Sequence, residues 1–164
     1  MTEKFQIVMQ GKNFYSNKKQ AINLASASFF GELKEGKVSY SIFEVLYLLE
    51  KSKIEVLENN KKLNFDKLLN QYKKHVETYQ VFKDLREKGN IVKEGLKFGA
   101  DFRIYEKSKN PGKDHARYLV WVLNYKDKLN LKDFSAKTRI ANSTNKNLLI
   151  AIVDSEGDIT YIES

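Results

Sequence analysis

The 164-residue chain contains no cysteine, which excludes disulfide scaffolds and every thiolate metal site. It has two histidines, His75 and His115, too few for a histidine-built metal centre. A single proline rules out Pro-rich linkers and low-complexity spacers. No apolar run approaches the roughly 18 residues of a membrane span, and the opening MTEKFQIVMQGK has no signal-peptide pattern. The chain is therefore expected to be soluble and cytoplasmic, with no membrane partner. Phosphate-loop and dinucleotide glycine patterns, zinc-protease helices and a nucleophile elbow are all missing. No cofactor and no metal are expected.

What is present begins with charge. The formal net charge is +8, from 29 Lys and Arg against 21 Asp and Glu. A basic balance of this size points to a polyanionic partner, usually nucleic acid, although the lysines are dispersed and often neighbour glutamate. Hydrophobic residues make up 41% of the chain, enough to bury a core in one domain or two small ones.

Read in order, FQIVM (5–9) is a first strand followed by a polar turn. Ser16 is placed to cap a helix starting near Asn17. Gly31 and Gly36 bracket a turn, and Lys37–Tyr40 reads as a short strand. Ser41 with Glu44 three residues on is a capping box ahead of the strongly apolar SIFEVLYLLEKS. IEVL (54–57) is a strand ended by Glu58-Asn59-Asn60, and Asn64 caps FDKLLNQYKKH. A helix over about 76–88 stops at Gly89-Asn90. The domain boundary is expected near residues 70–78, giving an N-terminal unit of 1–75 and a C-terminal unit of 76–164. In the second unit, 133–145 has helical periodicity. LLIAIVD (148–154) is a continuous apolar run typical of a strand buried on both faces, and 159–162 returns as a hairpin strand. The expected class is α+β or mixed α/β: a small N-terminal α/β domain, then a mixed sheet flanked by helices.

The stretch from Phe98 to Leu123, FGADFRIYEKSKNPGKDHARYLVWVL, reads as two strands around one polar loop. Alternation sends Phe98, Ala100, Phe102 and Ile104 one way, and Asp101, Arg103 and Tyr105 the other. Tyr105 is thus expected on the polar side of the sheet, at the strand's end. Asn-Pro-Gly at 110–112 makes the turn, and an antiparallel return brings His115 near Tyr105. Each candidate also has an ordinary reading: Tyr105 as an edge-strand tyrosine, His115 as an exposed loop histidine, Lys146 as a solvated lysine at a helix–strand junction. Together they supply a base, an acid and a fixed cation, the minimum for metal-free RNA cleavage by its own 2′-hydroxyl. The acidic turn Asp154, Glu156, Asp158 is either an ordinary hairpin or a docking loop for a basic cleft on another subunit.

The segments DLREKGNIVKEGLKFGADFRIYEK, then His115, then RIANSTNKNLLIAIVDSEGDITYIE closely resemble archaeal tRNA-intron (tRNA-splicing) endonucleases. The shared motifs are GADFR-x-Y, the ten-residue gap to His, and R-[IV]-A-x-S-x-x-K ahead of an apolar strand. The resemblance runs over about 81–163, and more weakly through YSIFEVLYLLEKSKIEV. It implies a catalytic triad of Tyr105, His115 and Lys146. In those roles Tyr105 is general base on the 2′-hydroxyl, His115 is general acid to the leaving 5′-oxygen, and Lys146 stabilises the pentacoordinate phosphorane. It further implies 2′,3′-cyclic phosphate and 5′-hydroxyl ends, a bulge–helix–bulge motif in precursor tRNA as substrate, and Arg139 as a clamp on a bulge base. Asp154, Glu156 and Asp158 fall on the family's subunit-docking loop. Many relatives carry basic side chains where this chain has Asn142, Asn145 and Asn147. A chain of this length carries one catalytic set, which suits a homotetramer or a heterotetramer with a structural subunit. Two other readings stay open at this point: a non-catalytic structural subunit, and a general RNA-binding module. An unperturbed tyrosine has a pKa near 10, so a base role needs a neighbouring cation such as Lys146 to lower it; otherwise Tyr105 orients the hydroxyl.

Overall fold

The structure, a computed structural model, describes residues 3–164. The chain divides into two compact units, residues 1–76 and 77–164, and its architecture is α+β with one mixed sheet in each unit.

In the first unit, β1 (Phe5–Gln10) buries Phe5, Ile7 and Met9 by alternation. It pairs antiparallel with β2 (Asn13–Ser16) and parallel with β5 (Ile54–Glu58). The expected cap at Ser16 is corrected here. Ser16 ends β2 and is buried, and helix α1 runs Lys19–Ser28 with no side-chain cap bond at Lys18. Pairing of Ser16 with Val38 overrides the local preference of serine for a cap. The hairpin β3 (Glu32–Lys34) and β4 (Lys37–Tyr40) joins the sheet, and β6 (Lys61–Leu63) completes the order β3-β4-β2-β1-β5-β6. Asn59 and Asn60 both adopt positive φ, 51° and 63°, the geometry of a two-residue hairpin turn. What reads as a strand end is therefore a reversal.

Helix α2 (Ile42–Glu50) begins with the expected capping box: Glu44 N donates to Ser41 Oγ at 3.2 Å and Ser41 N to Glu44 Oε1 at 3.0 Å. The second carboxylate oxygen accepts from Gly31 N at 2.6 Å, so one buried glutamate ties the helix start to the hairpin entry. Gly31 has φ 81°, and a Cβ there would collide with Val38 Cγ1 and meet Tyr40 Cε1 at 2.8 Å. Helix α3 (Phe65–Gln71) starts at Asn64, whose side chain accepts from Lys67 N at 2.8 Å.

The second unit is a five-stranded sheet of order β11-β10-β9-β8-β7, comprising β7 (Ile91–Glu94), β8 (Phe102–Tyr105), β9 (Tyr118–Asn124), β10 (Asn147–Val153) and β11 (Ile159–Glu163). Only β9 and β10 are parallel, and α5 (Leu131–Ser143) supplies their crossover. Helix α4 (Val76–Glu87) packs on one face: Phe82 lies 5.6 Å from Phe102 between ring centroids, and Asp84 accepts from the Tyr161 hydroxyl at 2.6 Å. On the other face α5 places Ala141 against Leu119, Leu148 and Ile150.

One expectation about β8 is overturned. The strand starts at Phe102, because a 3-10 turn at Leu96–Phe98 and a left-handed Gly99 (φ 67°) interrupt it. Phe98 and Ala100 accordingly join the Leu119–Leu148 cluster, on the face away from Phe102.

Removing the Glu44 carboxylate (Glu44→Ala) is expected to destabilise the protein by about 2–4 kcal/mol, since charge-assisted backbone bonds and buried donors are lost together. Gly31→Ala is expected to cost about 2 kcal/mol or more, from positive φ and overpacking on Val38. Urea unfolding checks both, and an unchanged midpoint for Gly31→Ala contradicts the close approach.

Candidate active site

The site is assembled by strand register. Ile104 of β8 pairs with Tyr118 of β9, and Tyr118 pairs with Asn147 of β10. Beyond those pairs, Arg117 N donates to Ile104 O at 2.8 Å and Asn147 N donates to Arg117 O at 2.9 Å. The last residue of β8, Tyr105, and the residue that leads into β10, Lys146, therefore flank Arg117 at one end of the sheet. Arg103 pairs with Leu119 and Leu119 with Leu148, and side chains alternate along a strand. Arg103, Tyr105 and Lys146 thus share the face on which α5 packs.

The end of α5 explains how Lys146 arrives there. Thr144 caps the helix, Asn145 adopts φ 56°, and Lys146 N donates to Ala141 O at 2.8 Å. Asparagine tolerates the left-handed conformation that reverses the chain. Lys146 is only 7% exposed. Its Nζ donates to Thr144 O at 3.2 Å and lies 4.9 Å from the Phe98 ring centroid. Burial pushes its ammonium below the usual lysine range, and the charges of Arg103 and Lys97 push it the same way.

Tyr105 is 2% exposed, which corrects its expected place on the polar side of the sheet. Its face is the apolar one lined by Leu119 and Leu148. Burial raises its phenol above the ordinary value; Arg103 opposes that rise and Glu94 adds to it. The cation acting on the phenol is thus Arg103, whose Cζ lies 5.5 Å from the ring centroid.

His115 is exposed, two residues before Arg117 in the loop that leaves the same end of the sheet. That loop is closed on itself. Asn110 Oδ1 accepts from Gly112 N at 2.8 Å, Asp114 Oδ2 accepts from Asn110 N at 2.7 Å, and Arg117 pairs with Glu106 at 2.8 Å across the base.

The remaining sequence candidates lie elsewhere. Arg139 is exposed on α5 and lines a shallow concavity with Phe134, Thr138 and Asn142. Asp154 is half-buried, and its Oδ1 accepts from Glu156 N and Asp158 N, both at 2.9 Å, so that oxygen serves its own turn. Glu156 and Asp158 are exposed. This turn sits at the far end of β10 from Lys146, about 26 Å away at strand rise. Sequence reasoning left out Arg103, Lys97 and Phe98 as neighbours of the site. For Arg103 the signal was available, since i and i+2 on a strand share a face.

The match to known proteins covers both units. Residues 6–69 match the family model described as tRNA intron endonuclease, N-terminal domain, and residues 75–161 match tRNA intron endonuclease, catalytic C-terminal domain. The chain is 40% identical over 158 residues to a tRNA-splicing endonuclease of Thermococcus gammatolerans, covering 93% of this chain and 92% of the relative. It is 39% identical over 166 residues to one from Pyrococcus horikoshii (98% and 95%) and 39% identical over 147 residues to one from Methanothermobacter thermautotrophicus (86% and 84%). With both domains matched and relatives this similar along nearly its whole length, the chain belongs to the tRNA intron endonuclease family.

Proposed function

We propose that this chain cleaves precursor tRNA at bulge–helix–bulge intron boundaries by metal-independent attack of a 2′-hydroxyl, leaving 2′,3′-cyclic phosphate and 5′-hydroxyl ends. The observation that carries the proposal is the register just described: two backbone bonds set the β8 terminus beside the residue leading into β10, with His115 in the adjoining loop.

In this reading the phenol of Tyr105, held neutral by burial, orients rather than deprotonates. Its O–H donates to one lone pair of the 2′-oxygen and aims the other at phosphorus, and the hydroxyl's own proton passes to water as the P–O bond forms. His115 gives a proton to the 5′-oxygen as that bond breaks, the acid role that histidine most often fills. Lys146 faces charge that grows only in the transition state, where a fixed, partly desolvated cation is most effective. Bulges are required because in-line attack needs an unstacked linkage, and single-stranded bases are what proteins can hold. Arg139 is assigned to a bulge base. Glu156 and Asp158, with Asp154 shaping their turn, are assigned to docking on another subunit, in a homotetramer or a heterotetramer with a structural chain. Two cuts per intron call for two active sites, and the N-terminal unit is assigned to assembly.

The test is cleavage of a bulge–helix–bulge RNA by the purified chain in EDTA, with its mass measured in solution. His115→Ala is expected to lower the rate by about 10²–10⁴-fold, the usual worth of a positioned acid, with RNA binding retained; normal cutting by this variant contradicts the acid role. The pH profile of the residual cleavage by His115→Ala, from which the acid's own proton is absent, is a second check. Activity requires the Lys146 ammonium, whose pKa is lowered, so the rate should fall as pH rises through that value. Tyr105 ionises above its ordinary value and does not set this limb. Lys146→Arg keeps its charge to higher pH and should move the alkaline limb upward, even at a lower maximal rate; an unmoved limb assigns the titration elsewhere.

A further inference from the structure

We propose that Arg103 is a phosphate ligand of this site, its guanidinium taking a non-bridging oxygen of the RNA phosphodiester that Lys146 faces. The inference rests on the nuclease reading above and adds to it a residue with a separate chemistry.

Three observations carry it. First, Arg103 lies on the same sheet face as Tyr105 and Lys146, with its Cζ 5.5 Å from the Tyr105 ring centroid. That is within cation–π reach, so the ring holds the guanidinium beside the phenol. Second, Arg103 Nε is buried and has no acceptor among the described residues. A buried unpaired donor is costly to the free protein, and an anion arriving from outside would remove that cost. Third, the residue sits among cations. Lys93 is its direct partner across the β7–β8 ladder, and like charges directly opposite destabilise a sheet. Lys97 and Lys146 lie 6.0 and 4.9 Å from the same Phe98 ring, and both Arg103 and Lys97 disfavour the charged form of Lys146. Glu94, the carboxylate that bears on Tyr105, is exposed, and its Oε2 accepts from Leu96 N at 2.9 Å. In the free protein Arg103 and Lys97 burden the Lys146 ammonium, whereas a bound phosphodiester is stabilised by all three cations.

The division of labour follows from geometry. Lysine presents a point charge; arginine presents a planar fork that matches two acceptor oxygens. A pentacoordinate phosphorane has two charged non-bridging oxygens, so Lys146 and Arg103 together neutralise what either alone leaves exposed.

The experiment compares wild type with Arg103→Gln on RNA carrying a single non-bridging sulfur at the scissile phosphate, each stereoisomer separately. Arg103→Gln is expected to slow single-turnover cleavage by about 10²-fold, the scale of one lost oxyanion donor. The thio effect of one isomer should shrink towards none, because the contact that sulfur disturbs is already gone. A folded Arg103→Gln protein with an undiminished thio effect overturns the proposal, even where His115→Ala is inactive and the nuclease reading stands. A second arm needs no cleavage. Inorganic phosphate should raise the thermal midpoint of the wild type more than chloride at equal ionic strength, and this difference should vanish in Arg103→Gln; an equal shift in both proteins overturns the proposal. Should Arg103→Gln not fold, Arg103→Lys carries the test. It keeps the charge but not the fork, and is expected to lose about tenfold in rate; wild-type rate in that variant overturns the assignment.

Discussion

Two backbone hydrogen bonds, Arg117 N to Ile104 O and Asn147 N to Arg117 O, are the constraint on which the rest of the second unit depends. They set β8 against β9 and β9 against β10 in a single register. A slip of one residue on any of the three strands sends alternate side chains to the opposite face, and Tyr105 would part from Lys146. The surrounding sequence guards that register. Leu119, Leu148 and Ile150 must face Ala141 of α5, and Phe102 must face Phe82 of α4. Packing on both faces therefore fixes polar groups that take no part in it.

The electrostatics follow from the same placement. Tyr105 and Lys146 are buried polar groups on the sheet face that also carries Leu119 and Leu148. Burial disfavours their charged forms, raising the phenol and lowering the ammonium. A site of this kind is costly to the free protein and well matched to a ligand that brings negative charge. His115 stands apart: it is exposed, and it sits on a loop closed by Asn110, Asp114 and the Glu106–Arg117 pair. The acidic turn lies at the other end of β10, so within one chain the two features are separated by the length of a strand.

Much of the fold was legible in the sequence where local chemistry and tertiary structure agree. Ser41 and Glu44 form their capping box, Asn64 caps α3, and the apolar run at 148–153 is an interior strand. The misreadings occur where tertiary contacts decide. Ser16 has the chemistry of a cap, yet pairing with Val38 of β4 claims it for a strand. Gly99 in a left-handed conformation breaks an alternation that looked continuous from Phe98 to Ile104, moving Phe98 to the other face. The spacing of Tyr105 and His115 around one loop could be read directly. The burial of Tyr105 could not, because the apolar residues that share its face, Leu119 and Leu148, come from strands further along the chain. For Arg103, strand alternation already placed it beside Tyr105; its other neighbours, from β7, the Phe98 turn and the residue leading into β10, are connected by no local pattern.

The central claim is that one end of this sheet directs a 2′-hydroxyl at its own neighbouring phosphate. It is tested most directly with a bulge–helix–bulge RNA in which a single 2′-hydroxyl beside one scissile phosphate is replaced by hydrogen. The account predicts that the purified protein leaves that junction intact while cutting the unmodified junction to a 2′,3′-cyclic phosphate. Cutting at the 2′-deoxy junction would contradict it.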